Sequence, residues 1–472
     1  MRRTRSAAAA TAALAAMAVG VLPPFSHGPS PGQPAIRQRS ARPVAQSVTA
    51  GPSGVPLTTS QCMAAIKVRC YSPLQYRAAY NLAPLYKRGI TGKGETIAIV
   101  ESFGSPTISD DLKAFDRQWG LPDTTLHVRS VGIIPAFDPK NSTRIGWAQE
   151  TTLDVEYAHA LAPGATIDLI ETPVAETEGL TGFPDMMAGE RALIAEGKVD
   201  VISQSFGATE DTLPGFPRGS LRGLAAVRTA FAAAAAHHVT VVAAAGDEGA
   251  TGPGPDGTKL YGHRATSWPA SDPMVTAVGG TKLTLGDTGA RVGQDTVWDD
   301  VYGAGGGGQS AIFARPSFQA GVASVTGDHR GVPDISMSAS MDGGALTYGS
   351  YQGTGGNWQV FGGTSEATPL FAAIVALADQ MAGHRLGNIN GALYALGSEM
   401  KPAETGIIAV PGGTNSYGGV AGFRATRGYN LAVGWGTINA AVFVPALAHY
   451  VPQPKVRSAP AQAMGPPMRG PV

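Results

Sequence analysis

The stretch Gly94-Glu95-Thr96-Ile97-Ala98-Ile99-Val100-Glu101, entered through a Gly-Lys-Gly turn, is a short apolar run of the kind that forms a strand buried on both faces. Helical patterning follows at 110–119. Further strand-like runs lie at 166–170, 199–203, 239–245 and 275–278, with helical stretches at 184–196 and 221–238 between them. Strands alternating with helices of this length predict an α/β fold, a parallel sheet with helices on both faces. No Pro/Ser-rich break divides the body, so one large domain is expected over 61–450.

The ends differ from the body. Met1-Arg2-Arg3-Thr4-Arg5 and the Ala-rich run after it read as a basic segment and an apolar segment too short to span a membrane, so 1–28 is expected to be an export signal. Residues 29–60 and 451–472 are Pro-rich without apolar periodicity and are expected to be a disordered linker or short pro-segment and a disordered tail. Cys62 and Cys70 are the two cysteines of the chain, and in an exported protein such a pair predicts a short-loop disulfide rather than a metal site.

Charge excludes some partners. Lys+Arg and Asp+Glu each number 35, charged residues make up 15%, and no basic block interrupts the body. Nothing here favours nucleic acid or an anionic membrane. A secreted monomer acting on other polypeptides, with no membrane contact once the signal is removed, is the expectation.

Phe361-Gly362-Gly363-Thr364-Ser365-Glu366-Ala367-Thr368-Pro369 runs into a long apolar series. A polar turn feeding a helix places Ser365 where unpaired backbone N–H groups and the helix dipole favour developing negative charge, which suits a nucleophile. Thr364 or Ser365 could equally serve as a simple helix cap. The glycine-dense segments 303–308 and 343–363 imply tight turns or close backbone approach, to a substrate or to another loop.

The acids decide between these readings. Residues 147–164 read as a helix closed by Pro163-Gly164, and Glu150 and Asp154, four apart on it, share one face. If buried they would hold a proton between them; on a solvated face they would be ordinary surface acids. Asp247 ends the apolar run 241–245 through Gly246, which puts it either at the carboxyl edge of a sheet or in a plain turn. No histidine is placed to serve Ser365: His237 and His238 end a helix and His159 lies inside one.

Together these pieces resemble the sedolisin family of serine-carboxyl peptidases, relatives of subtilisin in which a glutamate replaces the histidine. The resemblance covers roughly 71–447 and rests on Glu150-x-x-Leu153-Asp154 leading into Ala162-Pro163-Gly164, on Gly246-Asp247, and on Gly363-Thr364-Ser365 with Pro369. Connecting stretches match as well, including Trp268-Pro269-Ala270-Ser271 and Val332-Pro333-Asp334. The resemblance implies a subtilisin-like fold and an endopeptidase working at acidic pH. It implies Ser365 as nucleophile, Glu150 as general base and then acid, Asp154 as its orienting partner, and Asp247 as an oxyanion donor that acts when protonated.

Three departures from the family accompany the match. A large folded propeptide is expected in family precursors, whereas a short segment precedes the body here. The family binds calcium near its C-terminus through two aspartates and backbone carbonyls, but Ala409 and Asn430 stand at the aspartate positions, so no cofactor is expected. Glu366 occupies a place where such motifs carry something small or apolar; an acid in the first helical turn either simply stabilises the helix through its dipole or, beside Ser365, disfavours the oxyanion. A non-catalytic binding protein on the same fold is the alternative that these departures leave open.

Overall fold

A computed structural model describes residues 48–49, 54–216, 222–353 and 355–451. The expected signal at 1–28, most of the expected linker and the tail beyond 451 lie outside the described residues. Six parallel strands form the centre of the main sheet, in the order Thr276–Lys282, Thr240–Ala244, Val201–Gln204, Thr96–Ser102, Thr166–Thr172 and Leu126–Ser130. Ile335–Ser338 adds in parallel to the first of these, and the short Thr296–Val297 pairs with it antiparallel.

Strand pleating explains why the apolar runs are continuous. Ile97 and Ile99 enter the core on one face while Ala98 and Val100 enter the core on the other, and Val201 and Ile202 divide the same way. One core holds the helices Ser142–Leu161 and Thr364–Ala382, the other the helices Phe183–Glu196 and Thr229–Ala236. The α/β expectation therefore holds. The expected helix over 221–238 is shorter, regular only over Thr229–Ala236. Alanine richness favours a helix throughout, but Gly223 lies against the Pro214 carbonyl, where a Cβ would come within 2.7 Å, and the chain ahead of Thr229 runs in turns.

Ordered structure begins ahead of the expected boundary at 61. Val48–Thr49 pairs with Asn357–Phe361, and the helix Thr59–Ile66 is closed by a reciprocal capping box between Thr58 and Gln61. Its Cys62 forms a disulfide with Cys70 on the strand Cys70–Tyr71. That strand joins the hairpin of Gly344–Gly349 and Asn357–Phe361, which delivers the chain to Gly363. The hairpin thus sets where the long helix Thr364–Ala382 begins.

Candidate active site

Neighbouring strands end in polar groups along one edge. Glu101 lies at the carboxyl end of Thr96–Ser102, Ser205 directly follows Val201–Gln204, and Asp247 comes shortly after Thr240–Ala244. The carboxyl edge of a parallel sheet is where open α/β folds place their sites.

The helix Ser142–Leu161 starts at Asn141, whose Oδ1 accepts from the Thr143 and Arg144 N–H groups at 2.9 and 3.2 Å. From Trp147 onward its side chains are buried nearly all round. Glu150 is 3% exposed and Asp154 wholly buried, so these are not acids of a solvated face. The structure brings them to a third carboxyl that sequence reasoning missed. Burial, and then the charges of Asp154 and Glu150, hold the Glu101 carboxyl well above its ordinary range. Burial also raises Asp154, offset in part by the Ser205 hydroxyl and by Glu101 lying against it. No local pattern marks Glu101: it is the acid that ends an ordinary apolar strand.

Ser365 is fully buried in the first turn of Thr364–Ala382, and its Oγ has no hydrogen-bond partner among the described residues. It does not cap the helix. The cap position is Gly363, at φ 116°, a conformation that only glycine adopts without strain. Pro369 explains a further contact. Lacking an N–H, it cannot bond the Ser365 carbonyl four residues back, and the Ser205 hydroxyl donates to that carbonyl at 3.4 Å instead. Ser205 therefore stands between Asp154 and the backbone of Ser365.

Thr364 is committed to Asp247. The Asp247 Oδ1 accepts from the Thr364 N–H at 2.7 Å and lies 2.8 Å from its hydroxyl, which also faces the Gly246 carbonyl at 3.2 Å, so Oδ2 is the oxygen of Asp247 freer to carry a proton. The Asp247 N–H in turn donates to Glu248 Oε2 at 3.1 Å, and burial followed by the Asp247 charge pushes Glu248 up to about 8. Glycine density has its reason here. A Cβ on Gly306 would lie 2.0 Å from the Ala245 carbonyl, and the Gly306 N–H donates to the Gly246 carbonyl at 2.7 Å. The segment 303–308 thus approaches the Asp247 loop.

Glu366 turns away from Ser365, as the roughly 100° step between successive helical residues requires. Its Oε1 lies 2.6 Å from the Tyr76 hydroxyl. Histidine takes no part: His159 is buried and pairs with Asp116 at 3.1 Å, and His237 and His238 are exposed.

The donors at the expected calcium position are already engaged. Asn430 Nδ2 donates to the Thr426 and Gly428 carbonyls at 3.1 and 3.2 Å, and its Oδ1 accepts from the Ala432 and Val433 N–H groups, both at 3.1 Å. The amide nitrogen thus satisfies carbonyls that a cation would otherwise gather, and Ala409, beside Gly436, offers no side-chain oxygen. This donor set does not fit calcium, which needs several oxygens with negative charge among them.

The subtilase family profile matches residues 131–388, a span containing Glu150, Asp154, Asp247 and Ser365. Kumamolisin of Bacillus sp. (strain MN-32) is 34% identical over 338 residues, covering 70% of this chain and 56% of the relative. Sedolisin of Pseudomonas sp. (strain 101) is 29% identical over 395 residues, covering 81% and 62%. The chain therefore spans less than two thirds of these relatives' length. A solved structure of Pseudomonas sedolisin, a serine-carboxyl proteinase complexed with two molecules of pseudo-iodotyrostatin, superposes with a TM-score of 0.65 at 28% identity, over 80% of this chain and 98% of that one. A subtilase profile over more than half the chain, this superposition and the carboxyl-lined edge agree: the chain belongs to the subtilase family, in its sedolisin branch of serine-carboxyl peptidases with a subtilisin-like fold.

Proposed function

We propose that the protein is a secreted serine-carboxyl endopeptidase that hydrolyses peptide bonds at acidic pH through an acyl-enzyme on Ser365. The observation that supports this most is a buried serine hydroxyl without a hydrogen-bond partner among the described residues, at a helix start, on the same edge as buried carboxyls raised well above their ordinary values. In this reading Ser365 Oγ attacks the scissile carbonyl and Glu150 takes its proton. The tetrahedral oxyanion accepts a hydrogen bond from the protonated Oδ2 of Asp247. Glu150 returns the proton to the leaving amine, then activates the water that breaks the ester and regenerates Ser365.

Asp154 orients Glu150, and Glu101 keeps Asp154 ready to accept by holding a proton against it. A carboxylate base works in acid, where histidine would be protonated, and Asp247 donates only while it holds its proton. Both requirements point to an acidic optimum. The substrates are polypeptides, no metal takes part, and the chain acts as a monomer outside the cell. Among the described residues no helix is long and apolar enough to cross a membrane. The test is digestion of a denatured protein across acid to neutral pH: the wild type cleaves best in acid and Ser365→Ala does not cleave. Equal digestion by the mutant would refute the reading.

A further inference from the structure

The Tyr76 hydroxyl has one proton and two close oxygen neighbours. Glu366 Oε1 lies at 2.6 Å and the Gly343 carbonyl at 2.9 Å. A carbonyl brings no proton, so both contacts are hydrogen bonds only if Glu366 supplies the second one. The order is then Glu366 O–H to Tyr76 Oη, and Tyr76 O–H to Gly343 O. With Glu366 ionised, Tyr76 must leave one acceptor, either the carboxylate or the carbonyl, facing its own lone pairs at a wholly buried position.

We propose that Glu366 is a neutral positioning acid: through Tyr76 it ties the first turn of the nucleophile helix to the Gly343 carbonyl, and ionisation of Glu366 releases that tie.

The surroundings favour the neutral form. Glu366 and Tyr76 are both wholly buried. Tyr76 stands on the helix Pro73–Ala79, ringed by Tyr71 at 6.1 Å, Tyr80 at 6.5 Å and Tyr157 at 5.4 Å between centroids. Tyr71, from the strand Cys70–Tyr71, is held by the Leu285 N–H; Tyr80 accepts from the Ser338 N–H; and Tyr157, from the helix Ser142–Leu161, donates to the Leu346 carbonyl. Asp247, from the loop after Thr240–Ala244, adds a like charge. Of the cations beside this cluster, Arg291 lies over the Tyr80 ring at 5.2 Å and is already paired with Asp295, and Arg69, near Tyr71, is paired with Asp342 at 2.7 Å. Burial pushes the Glu366 carboxyl up to about 8, offset only in part by Tyr76, by the Ser338 side chain and by the Ala345 backbone, and no cation lies in direct contact with it.

The inference rests on the peptidase reading only for its effect on rate; the tie itself is a statement about folding. A folded-state value of about 8 lies above the ordinary 4.5, so the stability that Glu366 contributes is complete below about 4.5 and is lost as pH rises to about 8. Glutamine cannot ionise, yet its Nε2 can donate to Tyr76 as the neutral acid does.

The experiment uses the full chain carrying Ser365→Ala, which removes self-digestion, and compares its melting temperature with that of Ser365→Ala/Glu366→Gln from pH 4 to 9. The Gln variant gains on its parent across the window from about 4.5 to 8, by several degrees in total, and the gap is level above it. A gap that stays constant with pH overturns the proposal. Tyr76→Phe in the same chain is the second variant, and it lowers the melting temperature most in acid, where the tie is intact. A loss equal at all pH values also overturns it. In the active chain Glu366→Ala lowers kcat/KM by about tenfold to a hundredfold, the scale of a small displacement at a catalytic centre, and Glu366→Gln recovers most of that loss. If the wild type has no peptidase activity the functional reading fails while the melting curves still decide the tie.

Discussion

Asp247 Oδ1 accepts two hydrogen bonds from Thr364, the residue immediately before Ser365, at 2.7 Å from the N–H and 2.8 Å from the hydroxyl. This leaves Oδ2 as the oxygen of Asp247 freer to carry a proton. It also fastens the loop after Thr240–Ala244 to the start of the helix that carries the serine.

Asparagine at 247 should reproduce that geometry without needing a proton, since its carbonyl can accept from Thr364 while its amide donates. Asp247→Asn is expected to keep a large part of kcat/KM and to extend activity toward neutral pH. Asp247→Ala should lose about 10²–10³-fold in kcat, the usual cost of one oxyanion donor. Steady-state pH profiles of the two variants check this, and equal losses would count against a donor role.

Glu101 should be felt in the acidic limb of the profile. Glu101 lying against Asp154 lowers the Asp154 carboxyl, so removing it raises Asp154 further. Glu101→Ala is expected to move the acidic limb of kcat/KM to higher pH, and Glu101→Gln, which can still donate, to move it less. An unshifted limb in Glu101→Ala would separate Glu101 from the reaction.

Stability should be greatest in acid. Burial raises Glu101, Asp154 and Glu156 well above their ordinary values and takes Glu190, Glu248 and Asp379 to about 8. Acids raised in the folded state contribute stability that is complete below their unfolded values near 4 and is lost as pH climbs toward 8. Melting of the Ser365→Ala chain should therefore shift to lower temperature from pH 5 to pH 8. A stability maximum near pH 8 would contradict the burial of these groups.

The C-terminal loop should be indifferent to metal, because the Asn430 amide already bonds the Thr426 and Gly428 carbonyls. Neither a chelator nor added calcium is expected to move the melting temperature. Asn430→Asp removes both donated bonds and should cost about 1–3 kcal/mol, part of which calcium restores by taking the amide's place. A wild-type melting temperature that falls in chelator would overturn this.

Much of the architecture is legible in the chain because a doubly covered sheet leaves a local mark: Ile97 to Val100 is apolar without alternation since each face meets a core. Ser365, Glu150, Asp154 and Asp247 could be picked out because each sits at a recognisable punctuation, a helix start, an i,i+4 pair or a strand end. Glu101, Ser205 and Tyr76 carry no such mark. Their roles arise from contacts between segments far apart in sequence, and an acid ending a strand or a tyrosine on a short helix looks the same whether or not a carboxyl faces it. Glu366 was legible as an oddity, but its direction was not, because only the folded helix turns it from Ser365 toward Tyr76.

The most direct measurement is acid quenching of the protein during turnover of a peptide ester, followed by peptide mapping by mass. An acyl increment on the peptide containing Ser365, absent from Ser365→Ala together with all turnover, is the predicted result. Turnover that continues in Ser365→Ala, or proceeds in the wild type with no adduct on Ser365 under conditions where deacylation limits the rate, would contradict it.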